Sequence, residues 1–351
     1  MADSNMIASV LVVLYAGLFW WAFRALPHDG WQFLASVPRS KLPDGRWTGT
    51  NLTYYGAFTA SAVVLAVALV IILLASVAIP IDMIFVLSVI LLGLSVPASK
   101  VLARVIEGKI NTFTVGGASM LGLFLLPLII AGMNILLRKT GQTPLPFAPV
   151  LAALSIAYAF GEGTGRLACL SFGCCYGVPL KKSRPWLSAL FGRHPAVFAG
   201  ETKKVAYESG LEAVPLVPVQ AMTAAVSVCA GVIGLWLFCR GHMTASFVNT
   251  VAVTQLWRVG SEYLRADYRG AGRLSWYQIF AAAGTLYALL LSVWLNERPT
   301  GPPDLVSGLH SLWNPGVILS LQALWLGMFV FTGRSRVTAS IVSMMVLKDR
   351  I

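Results

Sequence analysis

Eight stretches of this 351-residue sequence run for 17 residues or more without an Asp, Glu, Lys or Arg. They span residues 7–23, 52–81, 83–99, 110–137, 140–161, 213–239, 274–296 and 305–333. A helix needs about 17–25 such residues to cross roughly 30 Å of hydrocarbon. In lipid only helices and closed barrels satisfy their own backbone, and runs of this length are helical. A ninth candidate, residues 241 to about 264, carries Arg258 and Glu262 within it. The pattern predicts an all-α polytopic membrane protein with nine crossings. The composition agrees, because 11% of the residues are charged where a soluble domain has about 25%.

The charged and polar remainder narrows the function. No nucleic-acid motif is present, and the net charge of +12 belongs in loops facing anionic headgroups. The first apolar run is preceded by "MADSN", which has no positive charge, so it reads as a retained helix and not as a signal peptide. Five cysteines, an odd number at or inside membrane runs, argue against a disulfide framework. Cys169, Cys174 and Cys175 are of zinc-ligand type, but no histidine is near them in sequence, and no cofactor or metal is expected.

Two loops have substance. Residues 24–51 are rich in Pro, Trp, Arg and Lys and are expected to lie on the membrane interface. Residues 176–215 carry Lys181, Lys182, Arg184, Arg193, Lys203 and Lys204, and are the candidate extramembrane head. Basic residues gather on one side: Arg39, Lys41, Arg46, Lys109, the head, Arg265, Arg269, Arg273 and the tail Arg334, Arg336, Lys348 and Arg350. The other side holds Arg138, Lys139, Arg240 and Arg298. The positive-inside rule makes the richer side cytoplasmic.

Charges inside membrane segments cost about 2.5–3.5 kcal/mol each and are therefore functional candidates. Glu162, Arg166, Cys169 and Gly173 form one helical stripe, and Arg258, Glu262 and Arg265 form another. Both stripes end on the same side, so they can face each other. They read either as a structural Glu–Arg network or as an anion site. Three arginines against two glutamates favour a missing anion, and a phospholipid phosphate suits paired guanidiniums. Gly161, Gly163 and Gly165 suit close helix packing. Gly116 and Gly117 break the run near 114–119, and Gln220 and Gln278 are membrane amides that need partners.

Together these residues resemble the prolipoprotein diacylglyceryl transferase family. Gly163-Thr-Gly165-Arg166-Leu167 through Gly173 and Gly177 is similar to its arginine-centred signature. Pro218-Val219-Gln220, the Arg258, Glu262, Arg265 pattern, Tyr277-Gln278, Tyr54-Tyr55-Gly56 and Val115-Gly116-Gly117 resemble further family motifs in the same order. The likeness spans about residues 50–296. Departures stand beside it: Val115 replaces the family's histidine, Cys169 its asparagine and Cys174 its signature glutamate, while Glu162 is added. The resemblance marks a divergent paralogue.

The resemblance implies a seven-helix core with one extra helix at each end. Residues 1–50 form the extra N-terminal helix and loop, 51–296 the core with head loop 176–215, and 297–351 the extra C-terminal helix and basic tail. It implies a multi-pass protein of the bacterial inner (plasma) membrane. The reaction implied moves a diacylglyceryl group from phosphatidylglycerol to a lipoprotein cysteine or another nucleophile and releases glycerol phosphate. Arg166, Arg258, Glu162 and Glu262 are the expected catalytic residues, with Glu162 either a counter-ion or a replacement base. Arg265, Gln220, Gln278, Tyr55, Gly116, Gly117, Cys174 and Cys175 are the expected substrate-binding residues. The family orientation puts the site on the outer face, opposite to the basic-residue count. The alternative is a non-catalytic phospholipid-binding or lipid-translocating protein that kept the phosphate pocket.

Overall fold

The computed structural model describes residues 2–107, 115–267, 274–295 and 301–351. Its helices are α1 (Ala2–Ala25), α2 (Tyr54–Ala75), α3 (Ile81–Glu107), α4 (Val115–Lys139), α5 (Phe147–Phe172), α6 (Pro185–Phe191), α7 (Lys204–Ser209), α8 (Val219–Cys239), α9 (Met243–Glu262), α10 (Trp276–Trp294), α11 (Leu305–Ser311) and α12 (Pro315–Gly333). Among the described residues nine of these have 19 residues or more. Seven are both long and apolar enough to cross a membrane along much of their length; α3 is apolar over Ile81–Ser95, and α9 carries the charges already noted. The chain is a mostly helical, multi-pass membrane protein.

α5 is the central post, with 17 of its 26 residues buried. It packs on α2, α8 and α9, while α1 leans on α8, α10 on α9 and α12 on α2. Small residues set these approaches. A Cβ on Gly163 would come 2.6 Å from Val228 and 3.0 Å from the Ala224 carbonyl of α8. A Cβ on Gly161 would meet Ala66 of α2 at 3.1 Å. The glycines of this stretch therefore admit two neighbouring helices on different faces.

The segment 24–51, expected as a loop, forms a hairpin over most of its length, and this corrects that part of the sequence reading. Strands β1 (Phe33–Lys41) and β2 (Trp47–Thr53) pair antiparallel, and β3 (Arg334–Val342), which follows α12, adds to β2. The turn is local: Leu42 N donates to Arg46 O at 2.7 Å, Gly45 takes φ 84° and Asp44 accepts from Arg46 N at 3.0 Å. Asp-Gly is a standard hairpin signal. Pro38, which cannot donate to a ladder, sits beside a register shift on edge strand β1.

Pairing of β3 with β2 puts the end of α12 beside the start of α2. There the two backbones touch, since a Cβ on Gly56 would lie 2.2 Å from Gly333 Cα. Gly56→Ala is therefore expected to push α12 outward and cost about 1–3 kcal/mol. Gly327→Ala, where a Cβ meets nothing within 4 Å, should gain up to about 1 kcal/mol of helix propensity. Thermal unfolding in detergent should move the two midpoints in opposite directions; equal midpoints would refute the contact.

Candidate functional site

α5 ends where its sequence turns to glycine. Gly173 adopts φ 72°, its N–H donates to Cys169 O at 2.9 Å, and Cys174 N donates to the same carbonyl at 3.1 Å. This left-handed cap folds Cys174 and Cys175 back over the last turn. A short ladder then ties the bend to the end of α9. Val178 N donates to Leu264 O at 2.9 Å, and Ala266 N donates to Tyr176 O at 3.1 Å. The two charged stripes are thereby brought face to face, as their spacing predicts.

Glu162 is the hub. It is buried and accepts from Arg166, from the Tyr158 hydroxyl on its own helix and, at 2.8 Å, from Arg258 across the gap. Arg258 also donates to the Tyr158 hydroxyl at 2.9 Å. Both carboxylate oxygens are thus engaged by three donors. Arg265 is held by Asp267 at 2.7 and 2.8 Å and faces Glu262 at 3.7 Å. The expected surplus of one arginine is therefore corrected: Asp267, two residues past Arg265, supplies a third carboxylate.

A cavity of about 620 Å³ opens at this cluster. Its polar mouth carries Arg166, Arg258, Glu262, Arg265, Asp267, Lys204 and Glu208. Its bore continues between α2, α3, α4 and α5 along Ala62, Val67, Leu91, Leu126 and Leu154. Among the described residues the hydrogen bonds of Arg166 go to Glu162, and those of Arg258 to Glu162 and Tyr158. A guanidinium has five N–H donors, so most remain for an anion in the mouth.

The other expected site residues divide. Tyr55 lines the cavity, with its ring 5.5 Å from that of Phe172, and Cys174 and Cys175 line it too. Gln220 and Gln278 do not. Gln220 Nε2 donates to Cys174 O at 2.9 Å and holds the bend, and its Oε1 is buried without a partner among the described residues. Gln278 closes a capping box with Ser275 and donates to Val259 O at 3.0 Å. Gly116 and Gly117 stand in the first turn of α4, and the side-chain environment of residues 105–120 lies outside what the structure describes. Of the basic residues, Lys109, Arg269, Arg273 and Arg298 lie outside the described residues.

Sequence reasoning missed Tyr158 and Asp267, and it read Lys203 only as one of the basic residues of the head loop. Lys203 of the head is fully buried, and its Nζ donates to Ser171 O at 2.7 Å and Leu26 O at 3.2 Å, so one cation closes the ends of α5 and α1. Such carbonyl ends favour positive charge, although burial pulls its ammonium down to about 8. Gln32 and Thr202 exchange hydrogen bonds at 2.7 and 2.8 Å, which docks the head on the segment after α1.

Comparison with known families gives a match over most of the chain. The model described as prolipoprotein diacylglyceryl transferase fits residues 46–295. No curated protein matches the chain.

Proposed function

The chain belongs to the prolipoprotein diacylglyceryl transferase family, and from that premise we propose that it moves a diacylglyceryl group from phosphatidylglycerol to a thiol. The observation that carries this reading is the amphipathic cavity: paired guanidiniums stand at its mouth and an apolar bore for acyl chains lies behind them. A bacterial inner-membrane location follows from the same reading.

The acceptor reacts as its thiolate, its S–H proton having passed to water. Its sulfur attacks the glycerol carbon that bears the phosphoester, the C–O bond breaks, and its electron pair leaves on glycerol phosphate. The leaving group needs little protonation but gains charge as it departs. Arg166 and Arg258 are placed to receive that charge, and one preorganised donor of this kind is worth about 3–4 kcal/mol. Glu162 acts as the counter-ion that holds both guanidiniums in register, because both its oxygens are already bonded. Glu262 and Asp267 do the same for Arg265. Tyr55 lies against the lipid path.

The test is mass spectrometry of the purified protein with phosphatidylglycerol and a thiol acceptor, either a lipobox peptide or a small thiol. Glycerol phosphate and a thioether-linked diacylglyceryl product are expected. Phospholipid held without any release would replace this reading with a lipid-binding or translocating one.

A further inference from the structure

Cys169, Cys174 and Cys175 take no part in the mechanism above, yet their three Sγ atoms all lie within 4.8 Å of one another. Cys169 and Cys175 are 4.0 Å apart. A tetrahedral Zn²⁺ about 2.3 Å from each sulfur would hold them about 3.8 Å apart. We propose that these three cysteines form a Zn²⁺ site whose fourth position opens into the cavity and takes the acceptor thiol.

The backbone is arranged for convergence. Gly173 turns the chain back, and Cys175 then adopts φ 56°, a left-handed conformation uncommon for a residue with a side chain. Outliers of this kind persist where surrounding structure holds them. Here Gln220 pins the Cys174 carbonyl at 2.9 Å, and the pairing of Gly177 with Arg265 fixes the exit of the bend. The charge also suits: three thiolates and Zn²⁺ sum to −1, next to the guanidiniums of Arg166 and Arg265. If small size alone were required, alanine would serve without exposing thiols to oxidation.

The site supplies what the cavity otherwise lacks. Every carboxylate lining it is engaged: Glu162 by three donors, Glu262 and Asp267 by Arg265, and Glu208 by Lys204 at 3.6 Å and Tyr176 at 3.1 Å. No described lining residue is a histidine. A thiol that binds Zn²⁺ loses its proton outright, so the acceptor S–H proton passes to water. Its sulfur then forms the new S–C bond as the phosphoester C–O bond breaks. That step rests on the transfer reading above; metal binding does not.

Full-length protein purified under reducing conditions should contain about one zinc per chain. After zinc is stripped, Co²⁺ should restore a thiolate-to-cobalt charge-transfer band and tetrahedral d–d absorption. Cys169→Ser, Cys174→Ser and Cys175→Ser should each weaken Co²⁺ binding about tenfold or more, while Cys229→Ser, at an exposed position, should not. If a serine variant fails to fold, Cys175→His keeps a ligand and should retain the d–d bands with a weaker charge-transfer band. Three thiols that stay titratable in the presence of Co²⁺, or a disulfide among them with no metal bound, would overturn the site. Transfer that proceeds unchanged in stripped protein would overturn the activating role and leave the transfer reading intact. Tight metal binding with no transfer to any thiol would leave the site standing and remove the transfer reading.

Discussion

Arg166→Gln should lower glycerol phosphate release by about 10²–10³-fold while the protein still folds and still takes up phospholipid. Arg166 sits at the cavity mouth, and its charge is matched by Glu162 on the preceding turn. Glutamine leaves Glu162 with two of its three donors, Arg258 and the Tyr158 hydroxyl. The fold therefore loses one partner of a network and not its only one. What disappears is a planar donor aimed at the departing phosphate. Arg166→Lys should not restore turnover, since an ammonium offers a point charge without the bidentate fork. Parallel measurement of turnover and of bound phosphatidylglycerol decides the matter. Turnover within threefold of the parent protein would take Arg166 out of the chemistry.

Two substitutions at Glu162 should give different failures. Glu162→Leu leaves the buried Arg258 and the half-buried Arg166 without the Glu162 carboxylate, and breaking a buried pair such as Glu162–Arg258 costs about 3–5 kcal/mol. The unfolding midpoint should drop by several degrees and the yield of folded protein should fall. Glu162→Gln keeps the shape and one acceptor oxygen, so it should fold, bind lipid and turn over slowly. The pH profile separates the two roles considered for this residue. As a positioning residue, Glu162→Gln lowers kcat at every pH and leaves the shape of the profile unchanged. Loss of the acidic limb from that profile would instead make Glu162 the base.

How much of this could be read from the chain depends on what each feature costs there. Charge inside a membrane run is expensive, so Glu162, Arg166, Arg258 and Glu262 stand out from their neighbours, and helical spacing places them on facing stripes. Tyr158 does not stand out, because a phenol in an apolar run is ordinary and only the fold reveals its hydroxyl between Glu162 and Arg258. Asp267 is one acidic residue in a polar loop, and nothing local says that it closes on Arg265. Gln220 and Gln278 were legible as costly amides, but their partners are backbone carbonyls and not substrate. The Ser275-x-x-Gln278 capping pattern already carried that meaning for the second of them. The β1–β2 turn was signalled by Asp44-Gly45, whereas β3 lies nearly 290 residues from its partner β2 and its pairing has no local signature at all.

That last pairing sets an order of events during synthesis. Strand β2 emerges from the ribosome before α2, yet one of its edges waits for a segment translated only after eight long helices. Contacts of such high sequence separation form late, and an uncovered strand edge is open to adventitious pairing in the meantime. Closure of the three-stranded sheet is thus the last clasp to fasten, and it requires that β2 and β3 end on the same face of the membrane. An odd number of failed crossings between them would leave Thr50 and Ala339 on opposite faces of the membrane.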